Sequence, residues 1–174
     1  MDLINLETKR KNFEEQLKFG KEWEDRFAQW LIKRGWFVTP KYLFSEEGAP
    51  LLIGESKSYA IPDIDAAKEG KRIWFECKRK KMMKKHFATG YAEYLHAHYR
   101  NVQSITGDPV FIIFEDDTNR YDGEKYYGNY IDKLELNVYA RDWFFEGKNH
   151  ILFRYPEAFI KIKITNETAD NLKT

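Results

Sequence analysis

The dipeptide Glu69-Gly70 lies between two short runs of extended-chain character, Tyr59–Ala67 and Lys71–Lys78. A two-residue connection ending in glycine is a tight-hairpin signal, and a tight hairpin fixes register. With Glu69 and Gly70 at the tip, Asp63 stands opposite Glu76 and Ile61 opposite Lys78. Alternation then puts residues 61, 63 and 65 on one face with 74, 76 and 78, while Ile64, Phe75 and Cys77 form an apolar face on the other side. Two carboxylates and a lysine converge on one side of one hairpin.

Directly opposed acidic residues repel and weaken a strand pair. A divalent cation removes that cost, and magnesium favours one or two carboxylates together with waters and phosphate oxygens. Lys78, two residues after Glu76, points to the same side and can orient an attacking water or help deprotonate it. The plain alternative is a solvated sheet face carrying ordinary cross-strand charge pairs.

The first helix adds to this set. Residues 1–34 contain no proline, and Gly35 supplies a left-handed stop. Trp23, Phe27, Trp30 and Leu31 form an apolar stripe. At ~100° per residue, Glu24 lies about 60° from the centre of that stripe, at the edge of the buried face. Glu22 lies on the solvated side with Arg26, Gln29 and Lys33. An acid bordering the core needs a partner, so Glu24 is the site candidate and Glu22 the surface residue.

Composition bounds what the set can serve. The 174 residues carry 29 Lys and Arg against 28 Asp and Glu, which excludes a globally basic nucleic-acid coat but permits a local basic patch. Hydrophobic content of 43% and aromatic content of 17% are enough for a core and exclude a disordered chain. The lone cysteine, Cys77, excludes an internal disulfide framework and a multi-cysteine zinc site. No apolar run nears the ~18 residues of a membrane span, and the N-terminus lacks a signal-peptide core, so a soluble, cytoplasmic protein is expected.

Along the rest of the chain, Trp36 to Phe44 is short and extended, broken by Pro40, and residues 45–56 form a loop around Leu51–Ile53. Residues 81–104 are expected to be helical, with Met83, Phe87, Tyr91, Tyr94, Leu95 and His98 three and four apart, stopped by Gly107-Asp108-Pro109. Val110–Phe114 reads as a buried strand. Residues 115–129 read as an acidic, then Tyr- and Gly-rich loop, and 130–163 as two or three strands with a short helix near Ala140–Phe145. A polar tail spans 164–174. There are no repeats.

The combination of Gly20, Glu24 and Gly35 on and after the first helix, then Pro62-Asp63, then Glu76-Cys77-Lys78, resembles the PD-(D/E)XK nuclease superfamily. Within it the chain is most similar to archaeal Holliday junction resolvases and phage junction-resolving endonucleases, in which a helix glutamate precedes a helix-ending glycine by eleven residues, as Glu24 precedes Gly35 here. The resemblance covers about residues 19–114. It implies an α/β fold with a mixed central sheet flanked by helices, an αβββαβ restriction-endonuclease-like core, and a C-terminal β-rich extension over about 115–163, all within a single domain of 1–163. It implies that Asp63 and Glu76 hold Mg²⁺, with Mn²⁺ able to substitute, that Glu24 completes the metal site, and that Lys78 is the catalytic lysine. Asp65 is an extra acid on the same face, where relatives often carry an apolar residue, and is read as a solvated neighbour. The reaction implied is phosphodiester hydrolysis in DNA leaving a 5′-phosphate and a 3′-hydroxyl. A symmetric homodimer follows from the same resemblance.

Lys78-Arg79-Lys80-Lys81-Met82-Met83-Lys84-Lys85 holds six basic residues in eight positions. Beside such a site, Arg79, Lys80, Lys81, Lys84 and Lys85 are candidates for phosphate contact, although a basic run is ordinarily a solvated helix start and cations there oppose the helix dipole. Tyr99 and Gln103 are further DNA-contact candidates. His96 and His98 are two apart and do not share a helical face, which argues against a histidine metal site. Trp36, Trp143 and the tyrosines at 121, 126, 127 and 130 could stack on unpaired bases, with core and loop packing as the plainer assignment. The competing readings are an exonuclease or restriction-type nuclease on the same core, a non-catalytic nucleic-acid-binding module, and an unrelated α/β protein with a chance motif.

Overall fold

The computed structural model describes residues 3–40, 50–116, 118 and 125–164, with side chains from residue 18 onward. The chain opens with α1 (Leu3–Ile32), followed by β1 (Phe37–Pro40), β2 (Leu51–Ile53), β3 (Ser58–Ala60), β4 (Ile64–Lys68) and β5 (Lys71–Arg79). Then come β6 (Ala88–Ala92), α2 (Glu93–Thr106), β7 (Val110–Glu115), β8 (Tyr126–Tyr130), α3 (Ile131–Glu135), β9 (Val138–Phe145), β10 (Lys148–Arg154) and β11 (Ile160–Lys161).

The central sheet has six strands in the order β1-β4-β5-β7-β8-β11. It is mixed, since β5 and β7 run parallel while its other pairs are antiparallel. Within it, α1, β1, β4, β5, α2 and β7 give the αβββαβ order. Parallel β5 and β7 are joined through α2, as a parallel pair requires a long crossover. The β7 residues are buried throughout, which matches their unbroken apolar run.

Each face of the sheet has its own core. On one, Trp23, Phe27, Ala28 and Leu31 of α1 meet Ile64, Ala66, Phe75, Cys77 and Ile113. On the other, Trp74, Ile112 and Phe114 meet Tyr99 and Val102 of α2, Ile131 and Leu134 of α3, and Ile151 and Phe153 of β10. The predicted apolar face of the hairpin is thus the face that receives α1.

The helix stop and the hairpin turn form as their glycines require. Gly35 has φ 81°, its N–H bonds to Ile32 O at 2.9 Å and the Trp36 N–H bonds to Leu31 O at 3.2 Å. That is the Schellman pattern, and Trp36 then packs edge-on to Phe75 at 6.3 Å. Glu69 and Gly70 have φ 51° and 76°, the two positive values of a twisted two-residue hairpin turn. Ile64 pairs with Phe75 and Asp65 with Trp74, which is the predicted register.

Several expectations are corrected. The run Tyr59–Ala67 is two strands: β3 pairs with β2 in a separate two-stranded sheet, and β4 begins only at Ile64. Pro62 lacks the N–H a ladder needs, so the chain leaves the sheet there and Ile61 never pairs with Lys78. Instead the Ile61 N–H bonds to Pro50 O at 3.0 Å.

The helix expected over 81–104 begins only at Glu93. Residues 88–92 form β6, paired with β10 in a second sheet of order β6-β10-β9. A Cβ on Gly90 would lie 1.8 Å from Ile151 O, so only glycine lets β6 and β10 come this close. This long-range pairing overrides the helical spacing around Tyr91. The basic run therefore leads out of a strand into a turn, and its conflict with a helix dipole does not arise.

The short helix expected near Ala140–Phe145 sits instead at Ile131–Glu135, where Ile131 and Leu134 supply the i, i+3 buried pair. Residues 138–145 are strand β9. The supposed loop 115–129 includes the start of β8. Tyr121 and residues 165–174 of the polar tail lie outside the described residues. Among the described residues, no helix is long and apolar enough to cross a membrane.

Candidate metal and catalytic site

Glu76 sits in β5, between the two sheet neighbours β4 and β7, and is 2% exposed. Its Oε1 is ion-paired with the Lys78 ammonium. Its Oε2 is buried without a well-formed hydrogen bond. Burying a carboxylate oxygen without a donor is costly, and such a group in a native fold calls for an explanation. The Tyr99 phenol from α2 lies close to this carboxylate, and burial, the Glu76 and Asp63 charges and a hydrogen-bonding interaction with Glu76 push its pKa up.

Asp63 lies just before β4, released from the ladder by Pro62 but still facing the end of β5. Its Oδ2 accepts the Cys77 N–H at 2.8 Å, so the side chain takes over the contact that a strand residue would have made with its backbone. Burial and then Glu76 raise the Asp63 pKa well above the ordinary carboxylate range. Glu24 comes from α1, half-buried at the margin of the apolar stripe, while Glu22 is exposed. Burial, with the Glu76 charge next, raises Glu24 to about 7, against the opposing pull of Lys78 and Lys21.

The structure therefore gathers Glu24, Asp63, Glu76 and Lys78 from α1, the β4 entrance and β5. Lys78 is ion-paired with Glu76, and its charge is also felt by Asp63 and Glu24. Burial works against the Lys78 charge, yet Glu76 and Asp63 overcome it and hold the ammonium protonated well beyond neutral pH. In that state Lys78 can orient a water or offset negative charge. The Lys78 ammonium also lies 5.9 Å from the Tyr91 ring centroid, within cation–π range.

The donor set fits a hard divalent cation. All candidate ligands are carboxylate oxygens, one of them buried without a well-formed hydrogen bond. Among the described residues no three His, Cys, Asp or Glu side chains form a ready-made cage. That is compatible with magnesium, which usually takes one or two carboxylates and completes its shell with water and phosphate.

The other candidates fall in different places. Asp65 is engaged bidentately by Arg72 at 2.8 and 2.7 Å. Lys80, Lys81, Lys84 and Lys85 are exposed, the last two in the turn before β6. Arg79 is half-buried, over the Phe19 ring at 5.2 Å and 3.4 Å from Glu115. Tyr99 and Gln103 are not presented to a DNA surface. Tyr99 is in the core, and Gln103 spends both ends of its amide internally, accepting from Val110 N at 2.9 Å and donating to Asp132 at 2.8 Å.

Tyr126 stacks on Trp23 and Tyr127 on Phe114, so both are core residues, while Tyr130 packs edge-on to Phe111. His96 is buried between Tyr91 Oη at 2.8 Å and Glu135 at 2.7 Å, and His98 Nδ1 accepts the Ala60 N–H at 2.8 Å. Neither histidine points to a metal.

Sequence reasoning missed Glu115 and Asp116. Glu115 ends β7 directly beside Arg79 and is buried among Arg26 at 2.6 Å, Lys125 at 3.0 Å and Arg79. Asp116 accepts the Met82 N–H at 2.9 Å and that of Thr118 at 2.9 Å, tying the basic segment to the end of the sheet. The available signal was an acidic pair at the end of an apolar strand, opposite a basic run on a parallel neighbour.

A Holliday junction resolvase, Hjc, from the archaeal hyperthermophile Archaeoglobus fulgidus has a similar solved structure: 16% identity, 76% of this chain and 86% of that one covered, TM-score 0.48. No protein-family model matches the chain. No curated protein matches it.

Proposed function

We propose that this protein is a metal-dependent nuclease that hydrolyses phosphodiester bonds in DNA, with branched DNA such as a Holliday junction as its preferred substrate. The observation that carries the reading is Glu76: a buried carboxylate with one oxygen on the Lys78 ammonium and the other without a well-formed hydrogen bond, its charge felt by Asp63 and Glu24. A purely structural ion pair gains nothing from two further half-buried acids.

Asp63 and Glu76 would hold Mg²⁺ or Mn²⁺, with Glu24 completing the set. When bound, the ion supplies a Lewis acid at the scissile phosphate and lowers the pKa of water. Lys78 stays charged, orients the attacking water and offsets charge building on the phosphate. Water oxygen forms the new bond to phosphorus, the P–O3′ bond breaks, and the departing 3′-oxygen takes a proton, leaving the 5′-phosphate and 3′-hydroxyl that the family resemblance implies. Arg79, Lys80 and Lys81 lie beside the lysine and suit sequence-independent phosphate contact, with Lys84 and Lys85 extending the basic surface. Action on a two-fold symmetric junction would call for a homodimer making paired cuts.

The test is cleavage of labelled four-way junction, linear duplex and single strand with Mg²⁺, with Mn²⁺ and in chelator, alongside Asp63→Ala and Glu76→Ala. Metal-dependent cutting, strongest on the junction and lost in both variants while DNA binding persists, supports the reading. Full cleavage in chelator or by either variant overturns the mechanism. Equal cutting of junction and duplex removes the junction preference.

A further inference from the structure

Beside the candidate site runs a cleft of about 980 Å³, and one of its walls comes from a part of the chain that the nuclease reading does not use. Lys78, Arg79, Lys80 and Lys81, Phe19 and Gly20 of α1, and Trp143, Phe145 and His150 of the β9–β10 hairpin all line it. We propose that the β9–β10 hairpin is a stacking wall for unpaired nucleotides, so that the cleft takes the single-stranded or unstacked part of a DNA substrate and leads it to Lys78. This rests on the nuclease reading for its substrate and adds which feature of the DNA is recognised.

The hairpin is built to present aromatics in a fixed direction. Its turn, Glu146-Gly147, has φ 49° and 77°, the rigid two-residue type. Trp143 and Phe145 are two apart in β9 and share a face, and Trp143 is directly opposed to His150 on β10. Ladder shifts between His150 and Leu152 mark a bulge, and Asp142 in the bulged strand has φ 52° with its N–H held by Glu93 at 2.8 Å. Bulges of this kind twist a strand and re-aim its side chains. The close β6–β10 approach at Gly90 brings the whole hairpin alongside the cleft that Lys78 lines.

The wall is only partly satisfied by the protein itself. Trp143 meets the His86 ring edge-on at 5.0 Å, and Phe145 meets His150 at 6.0 Å, yet Phe145 remains 54% exposed. The basic run supplies the charge complement. Four consecutive basic residues line the same cleft, against one acid of the hairpin turn, Glu146. An anion entering the cleft would meet these charges. Glu115, the other acid lining the cleft, is already matched by Arg26, Arg79 and Lys125.

Cations opposite stacking rings are how sequence-tolerant proteins hold a single strand, the phosphates taken by the cations and the bases by the rings. A paired, stacked base offers no free face to an indole, so the wall discriminates for unpaired nucleotides.

The experiment measures binding, so it does not depend on turnover. Fluorescein-labelled duplex, the same duplex carrying a three-nucleotide single-stranded flap, and a single strand are titrated in chelator with wild type, Trp143→Ala, Phe145→Ala and Trp143→Phe. Wild type should prefer flap and single strand over duplex. Each alanine variant should lose about 5- to 100-fold on those two probes with a much smaller change on duplex, as expected from loss of one stacked base. Trp143→Phe should keep most of the preference. Phe145 is exposed, so its alanine variant tests the wall without disturbing the core. Unchanged affinities in both alanine variants, or an equal loss on all three probes, would overturn the inference. Metal-dependent cleavage with no flap preference in binding sinks the stacking wall and leaves the nuclease standing, whereas flap preference without any cleavage does the reverse.

Discussion

Glu76 and Lys78 lie two residues apart on β5, and the lysine pairs with one carboxylate oxygen while the other is buried without a well-formed hydrogen bond. The pair is therefore incomplete as a structural ion pair and suited to share its free oxygen with an incoming cation.

The first consequence is an order of severity among the acids. Glu76→Gln and Asp63→Asn keep shape but remove charge, and each should lower cleavage at least about 100-fold, the scale on which loss of transition-state electrostatics is felt. DNA affinity in chelator should change little. Gel-based cleavage and anisotropy titration on the same preparations check both halves.

Glu24 and Glu22 offer an internal control on one helix. Glu24→Ala should impair metal-dependent cleavage, and Glu22→Ala, exposed on the solvated side, should not. Equal loss from both would contradict the half-buried placement of Glu24 at the site.

Lys78→Ala should reduce turnover more than substrate affinity. It should also destabilise the fold, because the buried Glu76 is then left without a counter-charge, a loss of about 3–5 kcal/mol in comparable buried pairs. Adding Glu76→Gln in the same chain should restore much of the melting temperature and none of the activity, a split that thermal denaturation and cleavage assays read separately.

The Glu24 carboxyl gives a signed pH dependence without metal. Its pKa rises on folding from 4.5 to about 7, through burial first and the Glu76 charge second. The folded state then binds the proton more tightly than the unfolded one, so this contribution to stability is complete below about pH 4.5 and is lost as pH rises through about 7. In chelator, wild-type melting temperature should fall across that window more steeply than that of Glu24→Gln. Parallel curves would show that Glu24 does not carry the effect.

Glu115→Ala separates scaffold from chemistry. Glu115 holds Arg26, Lys125 and Arg79 at the end of β7, and those cations can turn to solvent when it is lost. The expected cost is about 1–3 kcal/mol of stability. Per folded molecule, cleavage by this variant should fall far less than in Glu76→Gln, which denaturant melts and cleavage rates together decide.

Much of what places the candidate residues was legible in the chain because its determinants are local. Glu69-Gly70 set the hairpin register, the 3.6-residue stripe of α1 set the side on which Glu24 lies, and Gly35 set where the helix stops. Each follows from a backbone preference or a period that neighbouring residues cannot hide. What the sequence did not settle depends on partners far along the chain. Tyr91 has helical spacing yet lies in a strand, because Gly90 admits β10 from sixty residues away. Tyr99 and Gln103 have the chemistry of DNA contacts, but α2 turns one into the core and spends the other on Val110 and Asp132. Glu115 reads as the start of a loop until three cations from separate elements surround it. Short-range sterics and periodicity determined the hairpin and the acids it carries, whereas tertiary packing alone decided which polar groups were buried, which were matched, and that Glu76 would keep one oxygen open.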